Sequence, residues 1–110
     1  MTKAPQACRE LLLTYPQSLI VLNLLGAVLS SQGQVQQAVQ VFDKIIQLQP
    51  DLAGVYSNRG VALKELGQLE AAVASCNQAI ELKPGLAGAY SNRGNALTKL
   101  GQLEEAVASY

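Results

Sequence analysis

Chemistry needs polar or ionisable side chains held at a fixed spacing, and this sequence offers few. Histidine is absent, which removes the commonest general base and the commonest metal ligand together. Cys8 and Cys76 are the only cysteines. Their separation fits neither a metal signature nor a redox pair, and each falls on an apolar stripe, where cysteine behaves as a small hydrophobe. Glu65, Glu70, Glu104 and Glu105 do not form an acid couple. They sit at turns and helix starts, where negative charge favours the helix dipole. Arg59 and Arg93 lie towards a buried side; each is expected to pack its stem while surface carboxylates hold its head. No nucleophile, phosphate loop or metal site is expected, and no cofactor. What remains is a pair of carboxamides, Asn58 and Asn92, each within the text SNRG. A carboxamide both donates and accepts, so it can pair with a peptide group in either direction.

The asparagines belong to a longer repetition. Leu52 to Cys76 reads LAGVYSNRGVALKELGQLEAAVASC, and Leu86 to Tyr110 returns it as LAGAYSNRGNALTKLGQLEEAVASY, 34 residues later. Gly26, Gly33, Ala38 and Pro50 match Gly60, Gly67, Ala72 and Pro84 at the same interval. A fixed period of this size marks a repeat array. Within one period, Leu52, Val55, Tyr56, Leu63 and Leu66 recur at helical spacing. Gly67 then ends the helix. Leu69, Ala72, Val73, Cys76, Ala79, Ile80 and Leu82 define the inward face of a second helix, which Pro84 terminates. The preceding unit repeats this with Val35, Ala38, Val39, Phe42, Ile45 and Ile46. Each period is therefore predicted to be a helical hairpin, with Asp51 able to cap the helix after it. Gly60 sits inside a helix, where glycine costs about 1 kcal/mol against alanine. Its recurrence as Gly26 and Gly94 points to a close helix contact, expected at Ala72 and its counterparts Ala38 and Ala106.

The pattern resembles the tetratricopeptide repeat (TPR) family, whose spacing is aromatic-x2-large-Gly-x2-large, then Ala-x3-aromatic, then Pro. One copy supplies Tyr56, Arg59, Gly60, Leu63, Ala72, Cys76 and Pro84. The upstream copy supplies Leu22, Leu25, Gly26, Leu29, Ala38, Phe42 and Pro50. The last supplies Tyr90, Arg93, Gly94, Leu97, Ala106 and Tyr110. Leu22 departs from the aromatic, and Arg59 and Arg93 from the usual leucine. The resemblance implies an all-α superhelix of helical hairpins. It predicts a partial repeat, second helix only, over 1–18, with Ala4, Cys8 and Pro16 matching Ala38, Phe42 and Pro50. Full repeats are predicted over 19–52 and 53–86, and a truncated repeat over 87–110. Both ends then stop inside a unit, as expected of an excerpt from a longer array or of a chain that associates end to end.

At 110 residues the chain is at most one ordinary domain. Its net charge is zero and only 15% of it is charged, so no basic block suggests nucleic acid or an anionic membrane. The leucine-rich stretch from Leu19 to Leu29 holds Asn23 and is too short to span a bilayer, which takes about 20 residues. No signal peptide is visible, and a cytoplasmic location is expected.

In the resembled family the first helix of each repeat lines a concave groove. The residues opposite the apolar stripe are Gly54, Ser57, Asn58, Val61, Lys64 and Glu65 in one unit. Gly88, Ser91, Asn92, Asn95, Thr98 and Lys99 take those places in the next, and Ile20, Asn23, Leu24, Ala27, Ser30 and Ser31 in the first. This surface suits an extended protein or peptide segment, and some family members carry an asparagine ladder there, of which Asn58 and Asn92 look like two rungs. The family's carboxylate clamp would place lysines, asparagines and an arginine at Asn23, Ala27, Asn58, Gly88 and Asn92, and only Asn58 matches. The leading expectation is a non-enzymatic protein-interaction module. The alternatives are the repeat region of a larger bacterial glycosyltransferase of O-GlcNAc-transferase type or of a sulfotransferase, and a self-assembling scaffold.

Overall fold

A computed structural model describes the backbone of residues 19–109 and the side chains of residue 19 and residues 21–104. The partial repeat expected over 1–18, Cys8, Tyr110 and the side chains of Ile20, Ala106 and Val107 lie outside the described residues. Among the described residues five α-helices succeed one another: α1 (Leu19–Ser31), α2 (Val35–Leu48), α3 (Ala53–Glu65), α4 (Leu69–Leu82) and α5 (Ala87–Ser109). Among the described residues there is no strand. The fold is an α-solenoid, with α1 against α2, α3 against both α2 and α4, and α5 against both α4 and α3.

Two of the turns rest on glycine. Gly33 and Gly67 have φ of +80°. After α1, the Gln34 N–H donates to the Leu29 carbonyl at 2.9 Å and the Gly33 N–H to the Ser30 carbonyl at 3.1 Å. After α3, Gln68 and Gly67 repeat the pattern on Leu63 and Lys64, both at 2.9 Å. These bonds satisfy carbonyls that a helix end leaves unpaired, and they need one left-handed residue. The next helix does not receive the cap expected of Asp51. Leu52 holds the N-cap position of α3 with no side-chain hydrogen bond, and Asp51 stays exposed.

The core begins with Leu22, Leu25 and Leu29 of α1, packed with Ala38, Phe42 and Ile45 of α2. Val55 and Ala62 bring α3 into the same cluster. Because α3 is flanked by α2, α4 and α5, it buries Val55, Ser57, Gly60, Ala62 and Leu63, positions that run most of the way round a helix. A single amphipathic stripe underestimates that burial. In α4, Leu69, Ala72, Cys76 and Ala79 are buried as expected, whereas Leu82 is 38% exposed. Arg59 Nε donates to Asp43 Oδ1 at 2.6 Å, the carboxylate partner expected for it. Both side chains are partly exposed, and solvent screening keeps the pair's contribution to about 0–1 kcal/mol. Arg93 meets a carboxamide instead, donating to Asn77 Oδ1 at 3.1 Å, and its guanidinium lies 5.3 Å from the centre of the Tyr90 ring.

The mid-helix glycines mark close contacts. A Cβ on Gly60 would lie 2.6 Å from Cys76 Sγ and 3.3 Å from the Ala72 carbonyl oxygen. On Gly26 it would lie 2.6 Å from a ring carbon of Phe42, so there the contact is with the aromatic ring and not with Ala38. On Gly94 it would meet nothing within 4 Å.

Gly94 is open because the third unit does not fold back. Gly101 occupies the place of Gly67 in nearly identical text, yet α5 runs unbroken through it for 23 residues, and among the described glycines only Gly33 and Gly67 have positive φ. The turn expected there is replaced by straight helix. Continuing a helix adds one hydrogen bond per residue, whereas a new helix must be nucleated and then repaid by burial. Straight continuation also extends a stripe. Ala89 and Ala96 are fully buried against the body. Leu100 and Leu103 carry that face on, bordering a hollow shared with Gly67–Ala71.

Two measurements check this packing. Gly60→Leu is expected to destabilise the fold by about 1–3 kcal/mol or more, through overpacking against Cys76 and the α4 backbone. Urea denaturation reads this, and an unchanged midpoint contradicts it. Burial pushes the Cys76 thiol above its ordinary value of 9.0, with Arg93 and Lys64 opposing. The folded state thus holds this proton more tightly than the unfolded chain. Its contribution to stability is full below pH 9 and is lost as pH rises beyond. In a Cys8→Ser background, Cys76 is expected to react with a thiol reagent at neutral pH only after denaturant is added. Rapid labelling of the native chain contradicts that.

Candidate functional site

With three neighbours on α3, one arc of that helix is left for solvent: Gly54, Asn58 and Glu65 are exposed there, and Val61 is half-buried. Asn58 is the polar residue at its centre. The residue before it behaves differently. Ser57 is 6% exposed, because α5 packs directly on α3 and the Asn92 Nδ2 donates to Ser57 Oγ at 2.9 Å. A second hydroxyl, Ser75 on α4, donates to the Tyr56 carbonyl at 2.7 Å. The α3–α5 seam is thus closed by a side-chain hydrogen bond.

One period earlier the same two positions hold Asn23 and Asn58. Here α1 and α3 make few direct contacts, and both asparagines are exposed. Among the described residues no side-chain hydrogen bond joins them. Two carboxamides need more room than an asparagine against a serine, and the seam is open. A cleft of about 620 Å³ occupies it. Its floor is apolar, with Leu19, Leu52 and Val55; Asn23 and Asn58 line its polar side, and Asp51 and Lys83 bring one charge of each sign to it. Leu82, expected inward, lines this cleft instead. Such a site offers an apolar pocket beside donors and acceptors able to pair with a peptide backbone.

The other groove residues expected from sequence divide between the helices. Lys64 is half-buried on α3; Ser91, Asn95 and Lys99 are exposed on α5. Asn92 is half-buried, since its amide is committed to Ser57. Ser57 is corrected from a groove position to a buried acceptor. Sequence reasoning missed Leu19, Leu52, Val55 and Lys83 as parts of one cleft. They come from two helices and two connections that only the packing of α1 beside α3 brings together. Among the described residues no group of histidine, cysteine or carboxylate side chains is arranged to hold a metal ion. No helix there is long and apolar enough to cross a membrane.

Comparison with known proteins agrees with this architecture. No curated protein matches the sequence. Among solved structures, the first TPR of Spaghetti (RPAP3), bound to the HSP90 peptide SRMEEVD, is 32% identical with a TM-score of 0.74; the match covers 82% of this chain and 71% of that one. A mutant of the Thermobaculum terrenum O-GlcNAc transferase is 30% identical with a TM-score of 0.80, over 84% of this chain and 18% of that one. MamA, at 24% identity and a TM-score of 0.82 over 96% of this chain, shows the shared fold, and the match spans 62% of its length. The family model described as TPR repeat matches residues 26–67 and 62–101. The helical hairpins, the glycine contact of Gly60 on α4 and these matches together place the chain in the tetratricopeptide repeat family.

Proposed function

We propose that this chain is a protein-interaction module that takes an extended peptide segment in the cleft between α1 and α3. The observation that carries the reading is the cleft itself, with Asn23 and Asn58 beside an apolar floor of Leu19, Leu52 and Val55. An apolar side chain of the peptide enters the pocket while the two carboxamides pair with its backbone. Solved TPR structures in complex with HSP90 and Hsp70 peptides support a peptide as the class of ligand. The ligand favoured here is an internal segment and not a C-terminal carboxylate, because the clamp positions hold Asn23, Ala27, Gly88 and Asn92. Catalysis is no part of this reading. The likeness to an O-GlcNAc transferase favours a second one, in which the chain is the repeat region of a larger glycosyltransferase and the cleft positions its protein substrate. The sulfotransferase alternative has no comparable support.

The test selects binders from a random peptide library and titrates them calorimetrically. Asn23→Ala with Asn58→Ala is expected to weaken binding by about 5- to 100-fold, from one hydrogen bond of roughly 0.5–1.5 kcal/mol at each position. Stability is expected to hold, because both side chains are exposed. Asn92→Ala is expected to do the reverse, leaving affinity within about twofold while costing about 0.5–1.5 kcal/mol of stability from the lost bond to Ser57. Unchanged affinity in the double variant, or tighter binding of SRMEEVD than of the selected peptides, counts against the reading.

A further inference from the structure

Asp51 and Lys83 are the ionisable side chains among the described residues that line the cleft between α1 and α3. Both are exposed, and among the described residues neither makes a side-chain hydrogen bond or an ion pair. The repeat calls for neither charge. One period after Asp51 stands Gly85, and one period before Lys83 stands Gln49. Capping does not call for Asp51 either, since Leu52 holds the N-cap position of α3. The backbone nonetheless holds both residues in place. The Tyr56 hydroxyl donates to the Pro50 carbonyl at 3.0 Å, which ties the connection beside Asp51 to α3. The Lys83 N–H donates to the Ala79 carbonyl at 2.9 Å, which fixes Lys83 at the end of α4 and leaves its ammonium free.

The two charges are set apart across the cleft. Asp51 precedes the start of α3 and Lys83 follows the end of α4. The hairpin brings those two ends level, about 8–10 Å apart, which is one helix-packing distance. An extended segment rises about 3.3 Å per residue and points alternate side chains to opposite faces. Two or three of its residues therefore bridge the two charges, with a side chain between them directed to the floor of Leu19, Leu52 and Val55. We infer that the cleft selects segments carrying one basic and one acidic residue two or three positions apart, with an apolar residue between. Asp51 receives the basic residue and Lys83 the acidic one. This assignment rests on the peptide reading above and adds the charge pattern that sets specificity and the direction of the bound segment.

The test repeats the random-library selection on the wild-type chain, on Asp51→Lys and on Lys83→Glu, and sequences the enriched peptides. The wild-type pool is expected to be enriched in the basic–apolar–acidic pattern. Asp51→Lys is expected to replace the basic residue by an acidic one, and Lys83→Glu the acidic residue by a basic one. Calorimetry of one wild-type-selected peptide is expected to show affinity falling by about 2- to 30-fold with either variant, from one lost attraction and one new repulsion. Reversing the matching charge in the peptide is expected to restore affinity, and added salt to weaken the wild-type complex. A purely structural role at the helix ends would move the melting point and leave the peptide's charge preference unchanged, which overturns the inference. Peptides that need Asn23 and Asn58 but show no charge pattern and bind all three chains alike overturn it and leave the cleft reading standing. Peptides indifferent to both asparagines overturn the cleft reading and this inference with it. A rise in sedimented mass with concentration that Asn23→Ala with Asn58→Ala abolishes would put a second copy in the cleft, and that also overturns it.

Discussion

The structure depends on whether the backbone can reverse at a glycine so that a second helix lies back over the first. Where Gly33 and Gly67 take positive φ, Phe42 is seated over Gly26 and Cys76 over Gly60 at distances no Cβ would permit. The turn and the contact support each other. The left-handed residue brings the helices together, and the buried surface of the second helix compensates for starting it anew. At Gly101 the turn chemistry is present and the turn is not. Local sequence permits the reversal without enforcing it.

The same balance of local and tertiary terms separates the two seams between neighbouring first helices. Between α3 and α5 a small residue, Ser57, lets the helices close and accept the Asn92 amide. Between α1 and α3 the corresponding pair is Asn23 and Asn58, and a cleft opens there. Two copies of the SNRG text therefore present their asparagines in different states, one as structural glue and one facing solvent. Periodic sequence does not guarantee periodic function.

Much of the architecture was legible in the sequence because every apolar stripe had the helical period and glycines or prolines punctuated it. Gly60 was readable as a close contact because nothing else explains a glycine recurring inside a helix. The burial of Ser57 was not readable. An amphipathic-stripe argument assumes one buried face, whereas α3 has neighbours on three sides. The straight run through Gly101 was hidden for a different reason: its local text is nearly that of Gly67, so text alone does not separate the two backbone states. The cleft was half visible, through its asparagines. Its apolar floor joins Leu19 to Leu52 and Val55, a juxtaposition that exists only after packing.

The central claim is that one five-residue text, LGQLE, takes two backbone states in one molecule, a left-handed turn at Gly67 and continuous helix at Gly101. Backbone NMR of the 110-residue chain tests it most directly, through carbon chemical shifts and the amide-to-α-proton couplings of the two glycines. The account predicts a positive φ at Gly67 and a helical, negative φ at Gly101, with helical shifts continuing from Leu97 through Leu103. A left-handed Gly101 matching Gly67, with a break in the helical shifts there, would contradict it.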